Sequence, residues 1–529
     1  MYRIREILSE VASEIEHSDC NTLLSGFSSL CGEVIDDFGK IIAWAEKNII
    51  KQDELIRNSM YTGIDEASIQ LPPNILFSFV NLLHSSIKQL KNTLFVFIID
   101  EYENIGSYQN VINTFIKQLD GLSRYSFRIG VRPEGIIDYK TNVGSEHLQE
   151  GRDFLLSRLV VSSDDRSTRY RKFVESVINR RLETVPIFRQ LSITIEKLLG
   201  KKEDYEWEAK YHTKGKHLKA TDFVGSSHQY NSELIEEAIR SDSVLEEAYF
   251  LMRIKRGISI DCLRQTRQDL LEGKDTELTK KYKLDMQGKY KPALLFWIID
   301  KQKQKAKKLY YSLSTYLYLS CGSIYDFIGL CRTLFDELES DYYKQIETSC
   351  LISAEIQTKA AKKYGQSQLE KVKLNPESGL RMWYFAQNMC NVFSVYHKGD
   401  LCTTYPETNQ FFVSGTFQNN GVNREIWRSL IKWGVVIKKT SIQRSSISNN
   451  GKGQLYYINK LYYPLYNISC RIRGGYNFEL SDTVWDEMIV SLVDPMPFVK
   501  TTHKNTYQHS QTPLSTNQLS LPGWQGENI

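Results

Sequence analysis

Asp100 and Glu101 stand side by side at the end of an apolar run, residues 94–99 (LFVFII). A carboxylate at the end of a buried strand can hold a magnesium ion, directly or through water. A second carboxylate beside it can take the proton of an attacking water. Asp100 is then the metal ligand and Glu101 the general base. Arg132 closes the next apolar stretch, residues 125–131 (YSFRIGV), where a cation can sense a terminal phosphate. Two plainer readings stay open. A sheet edge followed by a capped helix also wants acids, and Arg132 can serve a salt bridge to Glu134 or a helix end.

A second set of residues is basic. Between positions 421 and 480, ten Lys and Arg face only Glu425 and Glu479, a net of +8, while the rest of the chain carries −4. Residues 423–433 put Ile426, Trp427, Leu430 and Ile431 on one side of a helix, and Arg424, Arg428 and Lys432 recur every fourth residue on another. One side can pack while the other reaches the phosphates of duplex DNA. Strands at 435–440 and 454–458 flank a turn at 449–453 that carries Arg444 and Lys452 nearby. Arg471 and Arg473 alternate with Ile472 and so share one strand face. A solvated basic surface or a protein dock is the alternative. Tyr456, Tyr457, Tyr462, Tyr463 and Tyr466 read as core and hairpin packing, and residues 301–308 (KQKQKAKK) as an exposed helix face.

Positioning these groups requires particular elements. Residues 94–99 do not alternate and are rich in β-branched and aromatic types, the pattern of a strand buried on both faces of a parallel sheet. A helix follows, with Ser107 as N-cap and Val111, Ile112, Phe115 and Leu119 inward; residues 125–131 then complete a βαβ unit. Residues 164–344 are mostly helical, except that 201–228, polar and mixed in sign, reads as an insertion or long loop. Residues 355–393 are helical again. The predicted divisions are 1–163, 164–348 with an insertion at about 185–290, 349–500, and a Thr-, Gln-, Asn- and Ser-rich tail at 501–529 that is disordered.

Composition bounds the class. A chain of 529 residues suggests about three domains, and 41% hydrophobic with 25% charged residues is ordinary globular usage. Collagen-like, fully disordered and disulfide-scaffold chains are excluded. The longest apolar runs fall far short of the ~20 residues of a spanning helix. Residues 1–16 repeat Ile4, Ile7, Leu8, Val11 and Ile15 at helical spacing, an amphipathic helix without the apolar core of a targeting segment. The nine cysteines form no C-x-x-C pair, which points to reduced thiols, a cytoplasmic location and no zinc site.

Residues 97–105 (FIIDEYENI), the helix around Asn113 and residues 128–135 (RIGVRPEG) resemble the Walker B to sensor-1 stretch of AAA+ and STAND-type ATPases, in particular bacterial origin-recognition-complex-like ATPases. Residues 317–332 are similar to the lid helix of that family, and the basic module to its winged helix. The resemblance implies an α/β plus α fold: a P-loop NTPase-type parallel sheet core, here N-terminally incomplete, a helical lid and a C-terminal winged helix. It implies ATP and Mg2+ as cofactors, with Asp100 on the metal, Asp100 and Arg132 on the nucleotide, and Asp100, Glu101 and Arg132 in catalysis. Double-stranded DNA is the implied partner of Arg424, Arg428, Lys432, Arg444, Lys452, Arg471 and Arg473. A second copy of the chain and an effector protein are further partners, and phage defence is the setting.

Two departures qualify that expectation. No G-x-x-x-x-G-K-[S/T] occurs, so nothing cradles the β- and γ-phosphates. ATP and Mg2+ are therefore conditional on a P-loop supplied by a segment ahead of this sequence, and efficient hydrolysis by this chain is not expected. Tyr325 also stands where the family often carries its lid arginine. The rival reading is a non-catalytic scaffold that keeps a degenerate ATPase fold and binds a protein partner.

Overall fold

The computed structural model describes residues 17–37, 39–41, 43–44, 46–47, 50, 75–119, 124–142, 146–157, 168–225, 231–302, 306–338, 349–375, 378–419, 421–439, 454–471 and 477–499. The chain divides into two compact units, Met1–Arg158 and Leu159–Ile529.

In the first unit, helices His17–Cys31 and Ile75–Ser86 pack through Leu23, Phe27, Leu83 and Ile87, with Phe95 against them. Strands β1 (Phe95–Ile99) and β2 (Tyr125–Ile129) pair in parallel, Phe95 beside Tyr125 and Ile99 beside Ile129. Parallel neighbours need a crossover. Here it is a 3-10 turn, Tyr102–Tyr108, and a helix, Gln109–Lys117.

Two expectations are corrected. Strand β1 alternates: Phe95, Phe97 and Ile99 are half-buried, whereas Val96 is 46% and Ile98 80% exposed. The described helices packed on β1 meet Phe95, on the face opposite Val96 and Ile98. The crossover helix starts at Gln109 rather than after a Ser107 cap. Its buried residues are Gln109, Asn113 and Ile116, not the apolar set chosen from periodicity.

The second unit holds two cores. One joins Val174, Leu198, Tyr316, Phe327, Ala360, Phe385 and Phe393. The other lies among helices between Tyr205 and Lys301, around Ala209, Phe250, Leu251, Leu294 and Trp297. Residues 201–225 are thus not a long loop, since they contain helices Tyr205–Thr213 and Ala220–Phe223. Their acids are internal caps. Asp204 accepts from the Trp207 N–H at 2.9 Å, and Glu206 accepts from Val244 N at 2.7 Å and Ser243 Oγ at 2.8 Å.

At the C-terminal end, strands β3 (Phe411–Val413), β4 (Val436–Lys438), β5 (Leu455–Ile458) and β6 (Phe478–Leu480) form a sheet of order β4-β5-β3-β6. β4 and β5 are antiparallel, as are β3 and β5. Helix Gly421–Lys432 lies against this sheet through Ile426, Trp427 and Leu430. Trp427 packs edge-on to Phe417 and Trp485, which stack on each other at 4.1 Å. Gly434, at φ +66°, ends the helix: Val435 N donates to Leu430 O at 2.9 Å and Gly434 N to Ile431 O at 3.0 Å. Among the described residues no helix is long and apolar enough to cross a membrane. Tyr456, Tyr457, Tyr462 and Tyr463 are buried in the core, as expected.

Candidate functional site

The first candidate site is the C-terminal edge of β1 and β2, where open parallel sheets present ligand-binding residues. Gly130 N donates to Ile99 O at 2.8 Å, and Tyr102 N to Gly130 O at 3.1 Å, so the chain leaving β1 stays bound to the end of β2. The Asp100 carboxylate lies over Gly130. A Cβ at that position would sit 2.8 Å from Asp100 Oδ1, so glycine leaves the carboxylate its space. Glu101 turns the chain in the left-handed region, at φ +53°. Its carboxylate accepts from Asn104 Nδ2 at 3.0 Å, and Asp100 Oδ1 accepts from the Glu101 N–H at 2.9 Å. Both acids are exposed.

Arg132, just past β2, shares this edge. It pairs with Glu103. The guanidinium Nε lies 3.1 Å from Glu103 Oε1, and the Arg132 N–H donates to Glu103 Oε2 at 3.2 Å. Arg132 remains 47% exposed, whereas the Glu103 side chain is 1% exposed.

Beneath the edge runs a buried polar network. The Tyr102 hydroxyl shares its proton between Gln109 O and Asn113 Oδ1, each at 3.0 Å. Gln109 Nε2 donates to Gly135 O at 2.9 Å and its Oε1 accepts from Ile137 N at 2.9 Å. Asn113 Nδ2 donates to Lys140 O at 2.9 Å. Burial, with the Asp138 charge added, pushes the Tyr102 hydroxyl up to about 12, so it stays a neutral donor. The crossover helix thereby holds both the turn after Asp100 and the segment after Arg132. Sequence reasoning missed Glu103, Asn104, Gln109 and Asn113. The available signal was Gln109 and Asn113 one turn apart in a helix whose other residues are largely apolar.

Asp100 and Glu101 suit a magnesium ion, which takes one or two carboxylates and completes its shell with water and phosphate oxygens. No group of three or more His, Cys, Asp or Glu able to hold a metal occurs among the described residues.

The second candidate site is the outer side of helix Gly421–Lys432. Arg424 is exposed, Arg428 and Lys432 are half-buried, and the Lys432 ammonium lies 5.3 Å from the Trp433 ring centroid. Arg444, Lys452 and Arg473 lie outside the described residues. Arg471 belongs to no described strand. It turns inward, its Nε 3.9 Å from Glu407 Oε1, a fully buried carboxylate.

The lid-like stretch is two helices, Leu313–Leu319 and Ile324–Asp336, divided by a turn in which Cys321 and Gly322 have positive φ. Tyr325 is exposed there.

The family described as ORC-CDC6-like matches residues 2–478. The chain belongs to the ORC-CDC6-like family. This is an AAA+ family, with function of the AAA+ ATPase type. No curated protein and no solved structure matches the chain. Proteins of the ORC-CDC6-like family generally bind ATP with Mg2+, act on DNA and oligomerise.

Proposed function

We propose that this protein is a nucleotide-responsive switch that binds duplex DNA through a C-terminal winged helix spanning part of residues 349–500. One observation carries the DNA reading. Helix Gly421–Lys432 is anchored by Ile426, Trp427 and Leu430, while Arg424, Arg428 and Lys432 recur along its outer side, and the antiparallel pair β4–β5 follows directly. A packed side and a basic side are what a groove-binding helix requires. Arg444, Lys452 and Arg473 extend the contact in this proposal; Arg471, tied to Glu407, is left out of it.

In the ATPase-like part, residues 1–163, bound ATP with Mg2+ would supply a hydrolysable phosphate chain. Asp100 would hold the metal, Glu101 would accept the proton of water, and Arg132 would face the terminal phosphate. No G-x-x-x-x-G-K-[S/T] is present, so turnover by this chain alone is expected to be slow. Nucleotide would act by shifting the lid, residues 164–348, between states that present the DNA module differently. Homo-oligomers, an effector protein, the cytoplasm and antiviral surveillance of foreign DNA complete the proposal.

A scaffold that binds a protein partner is the second reading, and the exposure of Val96 and Ile98 favours it. Binding of the full chain to labelled duplex at two salt concentrations, beside the R424A/R428A/K432A variant, separates the two. Salt-weakened binding that the variant loses supports the DNA reading; no binding by either form sinks it.

A further inference from the structure

One acid interrupts the basic side of helix Gly421–Lys432. Glu425 is exposed and follows Arg424 directly, three residues before Arg428 and seven before Lys432, spacings that put it on the same outer side. Its side chain is exposed on the side of the helix that carries the three cations.

That arrangement suits a particular kind of contact. A phosphate brought to Arg424 or Arg428 is repelled by a neighbouring carboxylate, so Glu425 contributes nothing favourable to backbone binding. Base edges in the major groove differ. Cytosine presents an N4 amino donor there, and a carboxylate is the side chain that accepts from it, whereas guanine N7 and O6 and thymine O4 are acceptors that a carboxylate rejects. Glu425 also lies in the N-terminal half of its helix, the half that reaches base edges when such a helix enters the groove. We infer that Glu425 is a specificity-determining residue that reads a cytosine in duplex DNA, while Arg424, Arg428 and Lys432 bind the flanking phosphates. This rests on the DNA-binding reading above.

The test is selection of bound duplexes from a pool with a randomised central segment, using the full chain as wild type, E425A, E425Q and R424A/R428A/K432A. The wild type should select a site with one fixed C·G pair, and changing that pair should weaken binding about 5- to 150-fold. E425A should lose the preference at that position, so that all four base pairs are recovered there in equal measure. E425Q should shift the position toward A·T, since a carboxamide pairs with adenine N6 and N7. R424A/R428A/K432A should weaken binding to all sequences alike. Selection of the same site by wild type and E425A overturns the inference alone, as does a wild-type site without a fixed cytosine. Failure of the wild type to bind any duplex overturns the DNA reading and this inference with it.

Discussion

The carboxylate of Glu103 holds Arg132 at two points, taking the backbone N–H at 3.2 Å and meeting the guanidinium Nε at 3.1 Å. A buried acid thus fixes both the path of the chain after β2 and the root of the arginine that faces the site. Glu103→Ala should cost about 2–3 kcal/mol locally, because a backbone donor loses its charged acceptor. Glu103→Gln should cost less, since an acceptor oxygen remains. Two units make a single global unfolding free energy ill-defined, so amide exchange across residues 130–137 is the appropriate measurement. Unchanged protection there in Glu103→Ala would refute the assignment.

Removing Arg424, Arg428 and Lys432 together should leave the module folded, because the helix is held by its other side. The slope of log affinity against log salt should fall by about 2.7, from three lost phosphate contacts at 0.9 each. Trp427→Ala should instead melt the module, at about 3–5 kcal/mol, and abolish binding at every salt concentration. A triple variant that keeps the wild-type slope would remove these side chains from the interface.

The positions of elements could be read from sequence more fully than their burial. Residues 94–99 and 125–131 read as strands in the right places, although the unalternated run at 94–99 hides an alternating burial, and residues 423–433 read as a helix whose Ile426, Trp427 and Leu430 face inward, because apolar periodicity there is decided by packing. Legibility failed where polar residues are buried. Glu103, Gln109 and Asn113 look like surface residues until their partners are known, and apart from Tyr102 those partners lie 25–29 residues away along the chain. Residues 201–225 look like a loop because their carboxylates cap helices that begin up to 38 residues later. Hydropathy counts a charge as exposed; a charge with a fixed partner is not bound by that rule.

Lys308 is the sharpest instance. The run at 301–308 was expected to be an exposed face, yet Lys308 is buried, with its ammonium 2.8 Å from Glu208 and 3.1 Å from Glu203. Burial alone would lower its pKa, but the two carboxylates outweigh that and hold it above the ordinary lysine value. Lys308→Met should destabilise the second unit by about 3–5 kcal/mol, because Glu208 is left buried and unpaired. Adding Glu208→Gln to that variant should recover part of the loss. A single variant as stable as wild type in urea unfolding would show that the pair contributes nothing.

His397 makes stability depend on pH in a direction that can be worked out. The ring is buried against Phe296, 4.7 Å between centroids, and Nδ1 lies 2.7 Å from Phe393 O, so Nδ1 carries the proton of a neutral imidazole. Burial lowers its pKa from 6.5 to about 4, against a smaller opposing effect of that hydrogen bond. The unfolded chain therefore binds a proton before the folded one does. The stabilisation from keeping this ring neutral is complete above pH 6.5 and is lost as pH falls toward 4, about 3 kcal/mol in all. His397→Gln, neutral throughout, should show a shallower loss over that window, by up to one proton in the slope. Tryptophan fluorescence in urea can follow this, because Trp44 is the only one of the eight tryptophans outside the second unit. Carboxylates titrate in the same range in both proteins, so the difference between the two curves isolates His397. Identical slopes would mean that the ring takes up its proton without leaving its site.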